Sequence, residues 1–327
     1  MRGPTRRVPT RTDSGPRSRC PVTVCVAALF NWNYASAGQP PDFGVGAITV
    51  SDRMITAGDI QYEPQQRKLA RITDHIYLMV AGDYDLHSEA IKAVQEEGQK
   101  NPTLKPFNVA VMYGYQIQAI QRRHAESIYL APLGLNTDSF LAQQKDMSER
   151  FVDTLTNQLQ NHHDSEVQAL VVGIENGQAH IYSVDHRGLV RSYDDVGFAA
   201  IGSGAWHAQS TLMQSGYVKT ANLANALARV FSAKKSAEVA PGVGTATDVW
   251  LFLKGGAFPV DGPSPVWQRV RQSLDDVYGE YDRYRRALAV HAVNKLQEAI
   301  NDPPNIDPNS NVTPISAAGG SDSKKAG

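Results

Sequence analysis

The sequence predicts an α+β sandwich in which two sheets pack face to face with helices outside, and three observations carry that prediction. Short apolar runs fall into two groups, one ending at Ala81 and one beginning at Gln168, with long mixed-polarity segments of helical spacing between and after them. Asn176-Gly177 interrupts the second group where both residues of a tight hairpin would need positive φ. A chain of 327 residues with 42% hydrophobic and 8% aromatic content can bury a sizeable core.

The elements follow in order. The alternating run from Thr23 (T-V-C-V-A-A) reads as a strand, Asn31 to Phe43 as a polar loop, and Val45 to Val50 as a second strand. Ile76 to Ala81 (IYLMVA) suits a strand buried on both faces, and Leu86 to Lys100 takes helical spacing. Phe107 to Tyr129 and Asp138 to His162 have few breakers and read as two more helices. Strands return between Gln168 and Val190 and at Val196 to Ile201. Gly202-Ser203-Gly204 then turns the chain into a helix over Ala205 to Met213. Asn222 to Val239 is helical, Thr247 to Leu253 is a strand, and Pro265 to Ile300 is a charged amphipathic helix with a candidate break at Tyr278-Gly279. Residues 1–22 form a leader outside the domain, residues 23–258 the domain itself, residues 264–300 a helical extension and residues 301–327 a disordered tail.

Composition excludes several function classes. Lysine plus arginine (32) nearly balance aspartate plus glutamate (33), so no global field points to nucleic acid or to an anionic membrane. No stretch reaches the roughly 18 apolar residues of a membrane span, and the leader lacks the apolar segment of a secretory signal. The two cysteines, Cys20 and Cys25, cannot build a metal cluster or a disulfide framework, which points to a reducing, cytoplasmic setting. His162-His163-Asp164 lacks a partner one helical turn away, so no metal is expected there. No phosphate-binding loop of the Walker type is present, and no cofactor is expected. Residues 1–21 hold six arginines and four prolines against one aspartate. That composition is expected to be disordered and fits a removable leader or a mis-set gene start; a transit peptide and a nucleic-acid arm share it.

The chemistry-bearing residues lie in Ser51-Asp52-Arg53-Met54-Ile55-Thr56-Ala57-Gly58, then Lys68, then Ala81-Gly82, with Thr23 ahead of them and Gly202-Ser203-Gly204 behind. This arrangement resembles the β-subunits of the proteasome family, which are N-terminal-nucleophile (Ntn) hydrolases. In that family an aspartate precedes a lysine by sixteen residues and a glycine follows the lysine by fourteen, the spacings of Asp52, Lys68 and Gly82 here. The resemblance spans Thr23 to Gly256, with extra residues after the first strand and around residues 135–165. It implies a four-layer αββα sandwich with two antiparallel sheets flanked by helices.

It also implies a threonine-type endopeptidase. A threonine hydroxyl becomes a competent nucleophile when a base takes its proton, and the α-amino group of the same residue can be that base once the residue is first in the chain. By resemblance Thr23 is the nucleophile and Lys68 stabilises the developing alkoxide electrostatically. Asp52 aims Lys68, the Gly82 amide donates to the oxyanion, and Ser203 shuttles a proton beside the nucleophile. Ile55, Thr56, Gln66, Ala70, Val80 and Tyr84 are the corresponding substrate-binding positions. The family's later D-x-x-S-G segment aligns with Glu238-Val239-Ala240-Pro241-Gly242, where glutamate replaces aspartate and proline stands for serine. Either the support of Thr23 is rewired with Glu238, or Asp248 supplies the carboxylate, or activity is weak.

Family members self-cleave after glycine, whereas the β-branched Val22 precedes Thr23. Val22 could instead mark a GTG start codon, so that methionine removal exposes Thr23. The resemblance further implies self-association into rings, polypeptide substrates and delivery by a separate ATPase, with no nucleic-acid or membrane partner. Two other readings share these residues: an Ntn amidase acting on a non-peptide amide, and a non-catalytic ring or scaffold subunit.

Overall fold

The computed structural model describes residues 23–34, 42–57, 60–62, 68–162, 167–260 and 265–301. Among them the chain is mixed α+β. Strands β1 (Cys25–Tyr34) and β2 (Asp42–Asp52) pair antiparallel from Cys25↔Ser51 to Tyr34↔Asp42. The polar segment from Asn31, expected as loop, therefore continues the strand through Tyr34. Backbone ladder bonds do not depend on side-chain polarity, and Asn31 also donates to Ala221 O at 2.9 Å. A small pair, β3 (Ile55–Ala57) and β4 (Ile60–Tyr62), follows, and then β5 (Leu69–Arg71) and β6 (Ile76–Gly82).

Helix α1 (Tyr84–Lys100) starts where the Asp83 carboxylate accepts from Asp85 N–H at 3.0 Å, and α2 (Pro106–Tyr129) starts on a proline whose missing N–H costs nothing in a first turn. The segment expected as one helix over Asp138 to His162 is two, α3 (Thr137–Gln143) and α4 (Glu149–Gln160). The break at Met147, which is extended, lets Phe140 and Leu155 meet Leu130 in a small cluster of their own. Strands β7 (Val167–Glu175) and β8 (Gln178–Val184) flank Asn176 and Gly177 at φ 51° and 77°, the expected hairpin. After them come β9 (Val190–Ser192), β10 (Phe198–Ile201), α5 (Ala205–Gln214) and α6 (Leu223–Ala237). The order ends with β11 (Thr247–Leu253), β12 (Gly256–Pro259) and α7 (Pro265–Asn301), a helix uninterrupted at Tyr278-Gly279.

Strands β12, β11, β2, β1 and β10 form one antiparallel series, and β5, β6, β7, β8 and β9 form another. A single parallel register, Val45↔Gln178, joins the two into one continuous ten-stranded ladder. Because strand side chains alternate, β1 feeds two cores. Val26, Ala28 and Phe30 pack with Ile48, Val50 and the α5 and α6 residues Leu212, Val230 and Phe231. Cys25, Ala27 and Leu29 pack with Tyr77, Met79, Leu170 and Ile181 from the other series. The opposite face of β6 and β7, with Ile76, Leu78 and Val171, meets Leu86, Val94, Val109 and Tyr113 of α1 and α2. Burying one large side chain such as Phe30 contributes about 2–3 kcal/mol.

The chain divides into a compact unit ending at Leu274 and a second unit beginning at Asp275. Within the first, Val270 and Leu274 of α7 pack against the β1–α6 core, and Arg271 Nη1 donates to Thr247 O at 2.8 Å.

Candidate active site

Thr23 stands two residues before β1, held by its backbone. Its carbonyl accepts from Gly204 N–H at 3.1 Å and from Ser203 Oγ at 3.2 Å, and its nitrogen donates to Ser203 Oγ at 3.2 Å. The side chain meets two residues distant in sequence: Thr23 Oγ1 donates to Asp52 Oδ1 and accepts from Lys68 Nζ. Lys68 Nζ also lies 2.9 Å from Asp52 Oδ1. Strand register brings them together. Cys25↔Ser51 puts Asp52 beside Val24 at the end of the β1–β2 pair, and Leu69↔Met79 puts Lys68 next to the end of β6.

Asp52 has no exposed side-chain surface. A carboxylate so buried needs its oxygens occupied. Val24 N–H donates to Oδ1 at 2.9 Å, while Met54 N–H at 3.0 Å and Gly244 N–H at 3.1 Å donate to Oδ2. Three amides, an ammonium and a hydroxyl thus fix the carboxylate that pairs with Lys68.

Gly202 has φ +90°, and a Cβ there would lie 2.3 Å from Thr23 O and 2.8 Å from Thr23 Cγ2. The backbone of the 202–204 turn can approach Thr23 because this residue has no side chain. Gly202→Ala is expected to displace Thr23, with a stability loss of about 2–3 kcal/mol by chemical denaturation and loss of any activity centred on Thr23. Wild-type stability and activity in that variant would contradict this placement.

The segment after α6 is tied both to that helix and to Asp52. The Glu238 carboxylate turns to α6, 2.6 Å from Lys234 Nζ and 3.3 Å from Lys235 Nζ. Lys234 is fully buried; burial lowers its pKa from the ordinary lysine value, and the Glu238 hydrogen bond opposes that shift. Its ammonium also donates to Gly244 O at 2.9 Å and Thr245 O at 3.0 Å, pinning the loop whose Gly244 N–H reaches Asp52. Glu238 therefore supports Asp52 at second hand. Pro241 offers its carbonyl: Ser203 Oγ donates to Pro241 O at 3.3 Å. Asp248 is turned to Arg53, whose Nε donates to Oδ1 at 2.8 Å.

Gly82 ends β6 at φ +118° and is exposed. It lies two residues beyond Val80, whose carbonyl accepts from Cys25 Sγ at 3.5 Å, and so shares an end of the ladder with Thr23 and Lys68. Val80's side chain is buried with those of α1 and α2, Ala70 is half-buried on β5, and Tyr84 is exposed at the head of α1. Ile55 and Thr56 lie on β3 with side chains outside the described set, and Gln66 lies outside the described residues. Burial pushes the Cys25 thiol up to about 12, so it stays protonated at neutral pH. His162 Nδ1 is 3.4 Å from Tyr129 Oη, and His163 and Asp164 fall outside the described residues. Among the described residues no three histidine, cysteine or acidic side chains group to hold a metal ion.

Sequence reasoning missed Lys234, Gly244 and His87. The spacing of Lys234 and Glu238 is that of an ordinary surface pair on a helix, and nothing in it signals burial. No known protein family and no curated protein matches the chain. No helix of the described residues is long and apolar enough to cross a membrane.

Proposed function

We propose that this chain is an Ntn hydrolase: a proteasome-like threonine endopeptidase that cleaves polypeptides through an acyl-enzyme on Thr23. The observation that carries the reading is the convergence of Thr23 Oγ1, Lys68 Nζ and the Asp52 carboxylate. Three core clusters, one between the two antiparallel series and one between each series and its helices, support a four-layer αββα arrangement.

In a chain that begins at Thr23, the α-amine (ordinary pKa about 8) is three bonds from Oγ1 and takes the hydroxyl proton, with Ser203 Oγ as the neighbouring relay. Oγ1 then attacks the scissile carbonyl while the Lys68 ammonium stabilises its negative charge. The Gly82 N–H donates to the tetrahedral oxyanion, an interaction worth about 3 kcal/mol in acyl-transfer sites. Collapse breaks the C–N bond, and the leaving amine carries off the proton. Water, deprotonated by the same α-amine, hydrolyses the ester. Removal of residues 1–22 is part of this proposal, because an amide nitrogen cannot act as base. So are a closed homo-oligomeric ring and delivery of substrate by a separate ATPase.

A peptidyl epoxyketone tests it, since that warhead closes a ring on both the hydroxyl and a free amine of one residue. Chain beginning at Thr23 is expected to gain the mass of one inhibitor, on Thr23, and chain retaining residues 1–22 to gain none. A Thr23-terminal chain that stays unlabelled and turns over no fluorogenic peptide overturns the reading. Turnover of small acyl amides with no peptide cleavage would move the assignment to an amidase on the same residues.

A further inference from the structure

We propose that His87 is a positioning residue for this hydrolysis: its hydrogen bond to the Ala81 carbonyl aims and polarises the Ala81–Gly82 peptide, whose N–H end meets the oxyanion. This rests on the reading of Gly82 as the oxyanion donor. His87, in the first turn of α1, has no exposed surface. Its Nε2 lies 3.1 Å from Ala81 O, and its Nδ1 bonds the hydroxyl of Tyr113, a fully buried residue of α2.

The hydrogen positions follow from what each partner can do. A carbonyl oxygen only accepts, so Nε2 carries the proton and donates. Burial holds the imidazole down to about 4, so at neutral pH the ring is uncharged and Nδ1 has a lone pair. The Tyr113 hydroxyl therefore donates to Nδ1. Burial raises the Tyr113 pKa above its ordinary value, which keeps that proton in place. The result is a directed chain: Tyr113 O–H to His87, His87 Nε2–H to Ala81 C=O, and, through one peptide unit, Gly82 N–H to substrate. Drawing electron density toward the carbonyl oxygen makes the N–H at the other end a stronger donor, and successive bonds in a buried chain polarise one another.

This contact occurs at the last residues of β6. Beyond Met79 the β5 side of β6 has run out of described pairing while the β7 side continues through Ala81↔Gln168 and Gly82↔Val167, and Gly82 adopts φ +118°, a conformation open chiefly to glycine. The peptide between Ala81 and Gly82 thus sits at the end of its strand, and His87 supplies a fixed donor for its oxygen. The His87 backbone N–H also bonds Asp83 O at 3.3 Å, so the ring is anchored to the turn it steadies.

The test uses Thr23-terminal chain and three variants, with kcat and KM for a fluorogenic peptide and the inhibition constant of the matching peptide aldehyde, whose adduct carries the same oxyanion. In His87→Phe, kcat is expected to fall on the order of ten-fold, a fraction of the hundred-fold or more that loss of an oxyanion donor costs. KM should stay within about two-fold, and aldehyde inhibition should weaken in step with kcat. His87→Gln, whose amide can reach the same carbonyl, is expected to recover most of the loss. Tyr113→Phe keeps the ring and removes the hydroxyl, and is expected to lower kcat about three-fold at unchanged KM; it carries the test if His87→Phe does not fold. Unchanged kcat in His87→Phe and Tyr113→Phe, or a His87→Gln as impaired as His87→Phe, overturns the proposal. A wild-type chain that forms no epoxyketone adduct fails earlier, at the peptidase reading, and takes this inference with it; wild-type labelling beside unaffected variants refutes this inference alone.

Discussion

Lys68→Met in a Thr23-terminal chain is expected to cut peptide turnover at least about a thousand-fold, the scale on which members of one catalytic unit fail when removed singly. Methionine keeps much of the side-chain length and removes the charge. The hydroxyl of Thr23 then loses the donor to Oγ1, and the attacking oxygen forms without a neighbouring cation. The same substitution leaves the fully buried Asp52 carboxylate without its ammonium, so stability is expected to fall by about 3 kcal/mol in urea unfolding. Both readouts matter. A variant that keeps turnover within ten-fold of wild type would remove Lys68 from the chemistry, and one that loses activity with no change in stability would separate Lys68 from Asp52.

Asp52→Asn is nearly isosteric and is expected to be almost as damaging. Every neighbour of Asp52 donates: Thr23 Oγ1, Lys68 Nζ and Val24 N–H at Oδ1, and Met54 N–H and Gly244 N–H at Oδ2. An amide must turn its NH2 toward one of these two groups. In one orientation it faces Val24 N–H with Lys68 and Thr23; in the other it faces Met54 and Gly244. At least one buried backbone N–H loses its acceptor, at a cost of about 2–4 kcal/mol in all. Turnover is expected to fall about a hundred-fold or more because Lys68 is no longer aimed by a negative charge. Near-wild-type denaturant midpoints would show that the carboxylate does not organise this end of the β1–β2 pair.

Much of the fold was legible because it rests on local periodicity. The apolar runs at Ile76 to Ala81 and Thr247 to Leu253, and the Asn176-Gly177 turn, read directly because alternation and positive φ are properties of a few adjacent residues. The elements that escaped are those set by partners. Asn31 to Tyr34 pair because β2 lies alongside, and β5 and β9 are three-residue strands too short to leave a pattern. The break between α3 and α4 has no proline or glycine to announce it; it follows from where Phe140 and Leu155 find apolar contact.

The candidate site divides the same way. Residue identities and intervals along the chain were sufficient to nominate Thr23, Asp52, Lys68, Gly82 and Ser203, because an acyl-transfer site restricts which side chains suit each part and resemblance supplied the spacing. Three-dimensional packing assigned the rest: that Glu238 neutralises the buried Lys234, that Pro241 contributes a carbonyl, that Asp248 belongs to Arg53, and that His87 stands behind the Ala81–Gly82 peptide. The Ser203–Pro241 and Arg53–Asp248 hydrogen bonds depend on strand register and helix rotation, as does the burial of Lys234 and His87. Those emerge when the whole core is buried at once, and no short stretch of the chain encodes them alone.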